Sequence, residues 1–112
     1  MLRNKVFSYI GLAMKSGNVA SGSFATEKSI KEYRAYVVIV ADDVSDNTRE
    51  KSEKMCEYSH VPLFCYGTKD ELGHAIGKEY RASLAIVDKG LAKAVIQNIN
   101  QEVVQYGKNE NS

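Results

Sequence analysis

The run Tyr36-Val-Val-Ile-Val-Ala41 constrains this chain more than any other segment. It is continuously apolar and mostly β-branched, so it favours a strand. It also lacks the polar alternation that would leave one face to water, which predicts a central strand covered by helices on both sides. A chain of 112 residues, 44% hydrophobic and 26% charged, has the means to build one such covered core, and disorder is excluded for its bulk.

The flanking sequence supplies the covering helices. Asn4 to Gly17 places Val6, Ile10 and Ala13 at helical spacing and stops at a glycine suited to a C-terminal cap. Val19-Ala20 is a short strand. Ser21-Gly-Ser23 follows, with small hydroxyls to cap a second helix running to about Arg34. Asp42-Asp-Val-Ser45 closes the central strand and opens a third, largely polar helix that Ser45 caps and that runs to about Ser59. Pro62 starts the strand Leu63-Phe-Cys-Tyr66 at a position where its missing donor is tolerated. Thr68-Lys-Asp-Glu71 has the capping-box pattern of a short helix that Leu72-Gly-His-Ala-Ile-Gly77 ends. Leu84-Ala-Ile-Val87 is a fourth strand, and Asp88 caps a last helix in which Leu91, Val95, Ile99 and Val103 recur every four residues. The alternation predicts an α/β protein, a three-layer α/β/α sandwich with a mixed sheet of about four strands. Residues 1–106 form its one domain, and the tail 107–112 is expected to fray.

The net charge of +1 hides an uneven distribution. Residues 1–40 carry six Lys/Arg against two Glu, residues 41–71 four against eight, and residues 72–112 five against four. A basic first third is a cue for a nucleic-acid surface. No apolar run approaches the roughly 18–20 residues that span a bilayer, and no signal-peptide stretch follows the first residues, so a cytoplasmic location is expected. Cys56 and Cys65 are expected to stay reduced.

Two segments could carry chemistry. On the second helix Thr26, Ile30 and Tyr33 share a face that can meet the core, while Phe24, Lys28 and Lys31 share the opposite one. An aromatic ring beside lysines suits nucleic acid, since lysines neutralise phosphates and a ring stacks on a base. The same face also reads as a solvated one in which Glu27 and Lys31 pair across one turn. In the second segment, Gly73 and Gly77 let backbone approach another chain closely, beside Lys78, Tyr80 and Arg81; glycines there also simply end a helix.

Other chemistries find less support. Cys56, His60, Cys65 and His74 could be assembled as zinc ligands, but there is no Cys-x-x-Cys pair, and no cofactor is expected. Asp42 and Asp43 lie where α/β enzymes place acids. No phosphate-cradling glycine motif or nucleophile elbow accompanies them, so they are read as ending the strand and assisting a helix start, and the chain as non-enzymatic.

Taken in order, Gly11-Leu-Ala-x-x-Ser-Gly17-x-Val-x-Ser-Gly22, Lys28, Ala35 to Val44, Cys56-Glu57 with Val61-Pro62, Lys69-x-x-Leu72-Gly-x-Ala-x-Gly77 and Ala85-Ile-x-Asp-x-Gly90 resemble the L-seven-Ae / L-thirty-e family of ribosomal proteins and kink-turn RNA binders. The match spans residues from about 5 to 99 and looks most like the small bacterial ribosomal-protein-like members. The resemblance implies an α/β/α sandwich gripping a kinked RNA internal loop, with structured RNA, ribosomal RNA included, as partner and a monomeric protein. By position Gly22 matches the family glycine and Lys28 its lysine in the turn and first residues of helix two, which enter the RNA groove, and Ser23, Phe24, Ala25 and Lys31 are taken with them as the RNA-contacting stretch Gly22–Lys31. It assigns Gly77, Lys78, Tyr80, Arg81, Ala82 and Ser83 to the loop on the side of the flipped-out nucleotide, with Tyr80 as its apolar or stacking contact. The chain departs from the family at two places. Phe24-Ala25 stands where the family's Asn-Glu reads the tandem G·A pairs, and Glu32-Tyr33 replaces an Arg-Gly ending. Altered or shape-led RNA recognition is one consequence. The other is a protein–protein adaptor on the same fold, with Phe24 as interface anchor.

Overall fold

The computed structural model describes the backbone of residues 2–111 and the side chains of residues 5–102. The apolar run becomes β2 (Val37–Val40), whose four residues are all buried. Their parity divides them between two cores. Val37 and Ile39 join the cluster that contains Val6, Ile10, Leu72 and Val95, whereas Val38 and Val40 join the one that contains Ile30 and Cys56. Side chains alternate across a strand, so this division is what a sheet covered on both sides requires.

The elements in chain order are α1 (Leu2–Lys15), β1 (Val19–Ser21), α2 (Ser23–Lys31), β2, α3 (Asp46–Ser59), β3 (Leu63–Cys65), α4 (Lys69–Ala75), β4 (Ser83–Ile86) and α5 (Lys89–Asn111). The sheet order is β1-β4-β2-β3. β4 runs antiparallel to both β1 and β2, pairing Ala85 with Ala20 and with Val38, while β2 and β3 are parallel with Ile39 opposite Phe64. Helices α1, α4 and α5 cover one face and α2 and α3 the other, giving the expected three-layer sandwich with a mixed four-stranded sheet. The central strands β2 and β4 are fully buried and the edge strands are not. The side chains of Val103 and of the tail from Gly107 lie outside the described residues.

Most helix ends follow the expected signals. Gly17 takes a positive φ of 76°, and the amides of Gly17 and Asn18 return to Met14 and Ala13, a Schellman ending. Ser45 accepts from the Thr48 amide at 3.1 Å, Asp88 accepts from the Leu91 amide at 2.8 Å, and both bonds of the Thr68/Glu71 capping box are present. Asp43 does assist a helix start, but not that of the helix that follows it in sequence. Its Oδ1 accepts from the Lys69 amide of α4 at 2.9 Å across the sheet end. Asp43→Ala is therefore expected to cost about 1 kcal/mol, measured by urea denaturation.

Helix α2 departs from expectation at both ends. Neither Ser21 nor Ser23 caps it: Gly22 is the N-cap residue, and no side chain bonds the free amides. At the other end the helix stops at Lys31, short of Arg34. Tyr33 adopts a left-handed conformation, φ 57°, while the amides of Tyr33 and Arg34 return to Ile30 and Ser29. That is again a Schellman ending, with tyrosine where glycine is usual. Tyr33 consequently leaves the core face assigned to it and is 72% exposed.

Candidate nucleic-acid interface

The two segments singled out in the sequence meet in space. The Gly22 amide donates to the Ser83 carbonyl at 2.9 Å, and Arg81 Nε donates to Ser21 Oγ at 3.5 Å. The antiparallel pairing of β1 with β4 makes this possible, because it sets the start of α2 beside the α4–β4 loop. Gly22 turns the chain out of β1 at φ 88° and ψ 162°, a combination that essentially only glycine adopts.

The start of α2 is electrostatically open. Its first turn has no acidic residue and its N-cap no side-chain bond, whereas α3 and α4 have both. Free amides at the positive end of a helix dipole suit an anion. Phe24 projects from this first turn, 82% exposed, with Ser23, Lys28 and Lys31 also at the surface and Ala25 half-buried. The expected Glu27–Lys31 pair does not form, since Glu27 lies 3.6 Å from Lys51 of α3.

The loop is fixed from beneath. A Cβ on Gly73 would lie 2.4 Å from Tyr80 Cα and 2.7 Å from the Glu79 oxygen, so the missing side chain lets the loop fold back onto α4. The close approach is thus to the chain's own loop, not to another chain. The Lys78 amide donates to the Gly73 carbonyl at 2.8 Å and the Arg81 amide to the Lys69 carbonyl at 3.0 Å. Gly77 makes the turn with φ 73°. Gly77, Lys78 and Tyr80 are exposed, Arg81 and Ala82 are half-buried, and Arg81 Nη1 donates to the Tyr80 carbonyl at 2.7 Å.

Ser83 is not part of this surface. It is the first residue of β4 and is buried, and its hydroxyl donates to Thr26 Oγ1 at 3.4 Å. Thr26 in turn donates to the Ala20 carbonyl. This polar chain holds α2 against the sheet, so Ser83 is a fixing residue rather than a contact. Ser21 and Lys69 also fix the loop. Neither was assigned to the site in the sequence, because nothing local marks the partner of a bond made to a residue 60 positions away in one case.

The remaining candidates show no assembled chemistry. Among the described residues no three His, Cys, Asp or Glu side chains group as metal ligands. Burial pushes the Cys56 thiol up to about 11 and raises that of Cys65 as well, which opposes the thiolate a nucleophile requires. No helix among the described residues is long and apolar enough to cross a membrane.

Comparison with known proteins bears on the family and the fold. The model of the ribosomal protein L7Ae/L30e/S12e/Gadd45 family matches residues 4–96. A Bacillus subtilis protein named RNA-binding protein YlxQ is 37% identical over 90 residues, covering 80% of this chain and 90% of its own. Its Enterococcus faecium namesake is 38% identical over 91 residues, covering 81% and 87%. A Bacillus halodurans protein of unknown function superposes with a TM-score of 0.83 at 26% identity, covering 86% of this chain and 97% of its own. A 15.5 kD RNA-binding protein of Giardia lamblia shares the fold, with a TM-score of 0.74 at 20% identity over 89% of this chain and 86% of its own.

Proposed function

This chain belongs to the ribosomal protein L7Ae/L30e/S12e/Gadd45 family, and on that premise we propose that it is a non-enzymatic RNA-binding protein. It grips structured, kink-turn-like RNA between the start of α2 and the loop 77–82. The observation that carries the reading is the junction itself: an uncapped helix start with Phe24 exposed, bonded through Gly22 to Ser83, where β4 begins directly after a loop that presents Lys78 and Tyr80. The curated relatives bear an RNA-binding name, which supports the same partner.

In this reading the α2 amides, Lys28 and Lys78 neutralise phosphates, while Phe24 and Tyr80 offer flat apolar faces to bases. Phe24 and Ala25 lack the donors and acceptors that read base edges. Each bidentate base contact is worth about 1–3 kcal/mol of discrimination in groove readout, so recognition rests on the shape of the kinked backbone more than on sequence. The protein then acts as a clamp that favours the bent RNA, as a monomer in the cytoplasm, on the ribosome or on another structured RNA.

Lys28→Ala tests the electrostatic part. Each phosphate neutralised contributes a fixed share of the salt dependence, so this variant is expected to bind kink-turn RNA more weakly and to lower the slope of log K against log salt by about one. An unchanged slope in a gel-shift series would remove Lys28 from the interface. The protein–protein adaptor is separated by Phe24→Ala, which in an adaptor leaves RNA affinity as it was.

A further inference from the structure

The C-terminal parts of α2 and α3 line a groove of about 380 Å³ that lies at the far end of α2 from its start. Ile30, which is buried, and Met55, half-buried, form its apolar part. Tyr33 and Tyr58 also line it, 72% and 83% exposed, together with Lys31 and Lys54. None of its lining residues is a carboxylate, although α3 belongs to the acidic third of the chain. On the α2 side Glu27 pairs with Lys51, and Glu32, just past the helix end, lies 3.8 Å from Arg34; on α3, Glu53 and Glu57 adjoin Lys54 and Tyr58 in sequence without lining the groove.

Tyr33 is the unusual member of this set. It occupies the left-handed position that ends α2, where the conformation disfavours a bulky side chain and glycine would be cheaper. Its ring is largely exposed, so burial of the side chain does little to offset that cost. Backbone strain of this sort collects at functional positions.

We propose that this groove is a second RNA contact, which takes unpaired nucleotides of a single-stranded segment with their bases on Tyr33 and Tyr58 and their phosphates near Lys31 and Lys54. Two exposed rings and two cations, with no carboxylate in the lining itself, form a set that stacks bases and neutralises a backbone without reading sequence. An acidic peptide would satisfy the lysines and leave both rings idle. Lys28 and Lys31 on the exposed side of α2 join the groove to the first interface, so one strand could leave the kinked element and enter the groove. The inference thus extends the RNA-binding reading, but it is testable without it.

The test is a titration of the isotopically labelled full-length protein with hexauridylate, which has no structure to kink, followed by amide resonances. The expected shifts centre on Lys31, Tyr33, Met55 and Tyr58. Tyr33→Gly is expected to raise the melting temperature, because it relieves the left-handed strain, and yet to weaken hexauridylate binding about tenfold; Tyr58→Ala weakens it to a similar extent. Shifts absent from the groove, equal shifts with hexaglutamate, or unchanged affinity in both variants would overturn the proposal. A parallel titration with a blunt-ended kink-turn RNA reads the first interface alone. It is sensitive to Lys28→Ala and indifferent to Tyr58→Ala, so failure of one reading is distinguishable from failure of the other.

Discussion

Gly73→Ala is expected to lose about 2 kcal/mol of folding stability and at least tenfold in RNA affinity. Two effects compete at this position. Alanine is the better helix former by about 1 kcal/mol, and on an open helix surface the substitution would stabilise. Here the new Cβ would sit 2.4 Å from Tyr80 Cα and 2.7 Å from both the Tyr80 nitrogen and the Glu79 oxygen. All three are backbone atoms, so no side chain can rotate aside. Overpacking of this severity costs about 3 kcal/mol, which exceeds the propensity gain and fixes the sign. Relief comes by lifting the loop, which breaks the bonds from Lys78 to Gly73 and from Arg81 to Lys69 and moves Tyr80 away from the start of α2. Urea denaturation measures the first loss and RNA titration the second. A stabilised protein that binds as before would show that the loop does not rest on α4.

Gly22→Ala is expected to have a comparable effect for a different reason. A Cβ at this position meets nothing nearer than Arg81 Cδ at 4.0 Å, so space is available. The obstacle is conformational. The residue lies at φ 88° and ψ 162°, where a side chain of L configuration costs about 1–3 kcal/mol. If the chain relaxes instead, the bond from the Gly22 amide to Ser83 is lost and the start of α2 turns away from the loop. RNA affinity is then expected to fall about tenfold, the equivalent of roughly 1.4 kcal/mol. D-alanine introduced by ligation separates strain from bulk, because its mirror-image preference accepts the positive φ: stability and binding should both return. If D-alanine and L-alanine are equally harmful, the backbone explanation is wrong.

The parts of this fold that were legible in sequence are those whose cause is local. The β2 run declared its burial because every residue in it had to be covered, and Ser45, Thr68 and Asp88 marked helix starts because a side-chain oxygen reaches an amide within three residues. Gly17 did the same for the end of α1. The end of α2 was not legible: a Schellman turn closed by tyrosine lacks the glycine that signals it, and helical spacing carried Tyr33 into a core it never reaches. The start of α2 misled for a related reason, since two serines flank the glycine that does the work.

The candidate site was half legible. Both of its segments could be found from lysines, aromatics and glycines, and from the family resemblance. What joins them could not, because the bonds from Gly22 to Ser83 and from Arg81 to Ser21 depend on the pairing of β1 with β4. Ser83 shows the cost of this blindness: its place in a loop motif suggested a contact, whereas its burial beneath Thr26 makes it a support. The groove between Tyr33 and Tyr58 is likewise a product of packing, since α2 and α3 are separated in sequence by the whole of β2.

The central claim is that one surface, built from the start of α2 and the loop 77–82, holds structured RNA. Ultraviolet crosslinking of the full-length protein to a blunt-ended kink-turn RNA, with crosslinked peptides located by mass spectrometry, tests it most directly. The account predicts crosslinks at Phe24 and Tyr80, lost when the RNA is replaced by a plain duplex. Crosslinks concentrated on α1 or α5 across the sheet, or none at low micromolar protein and low salt, would contradict it.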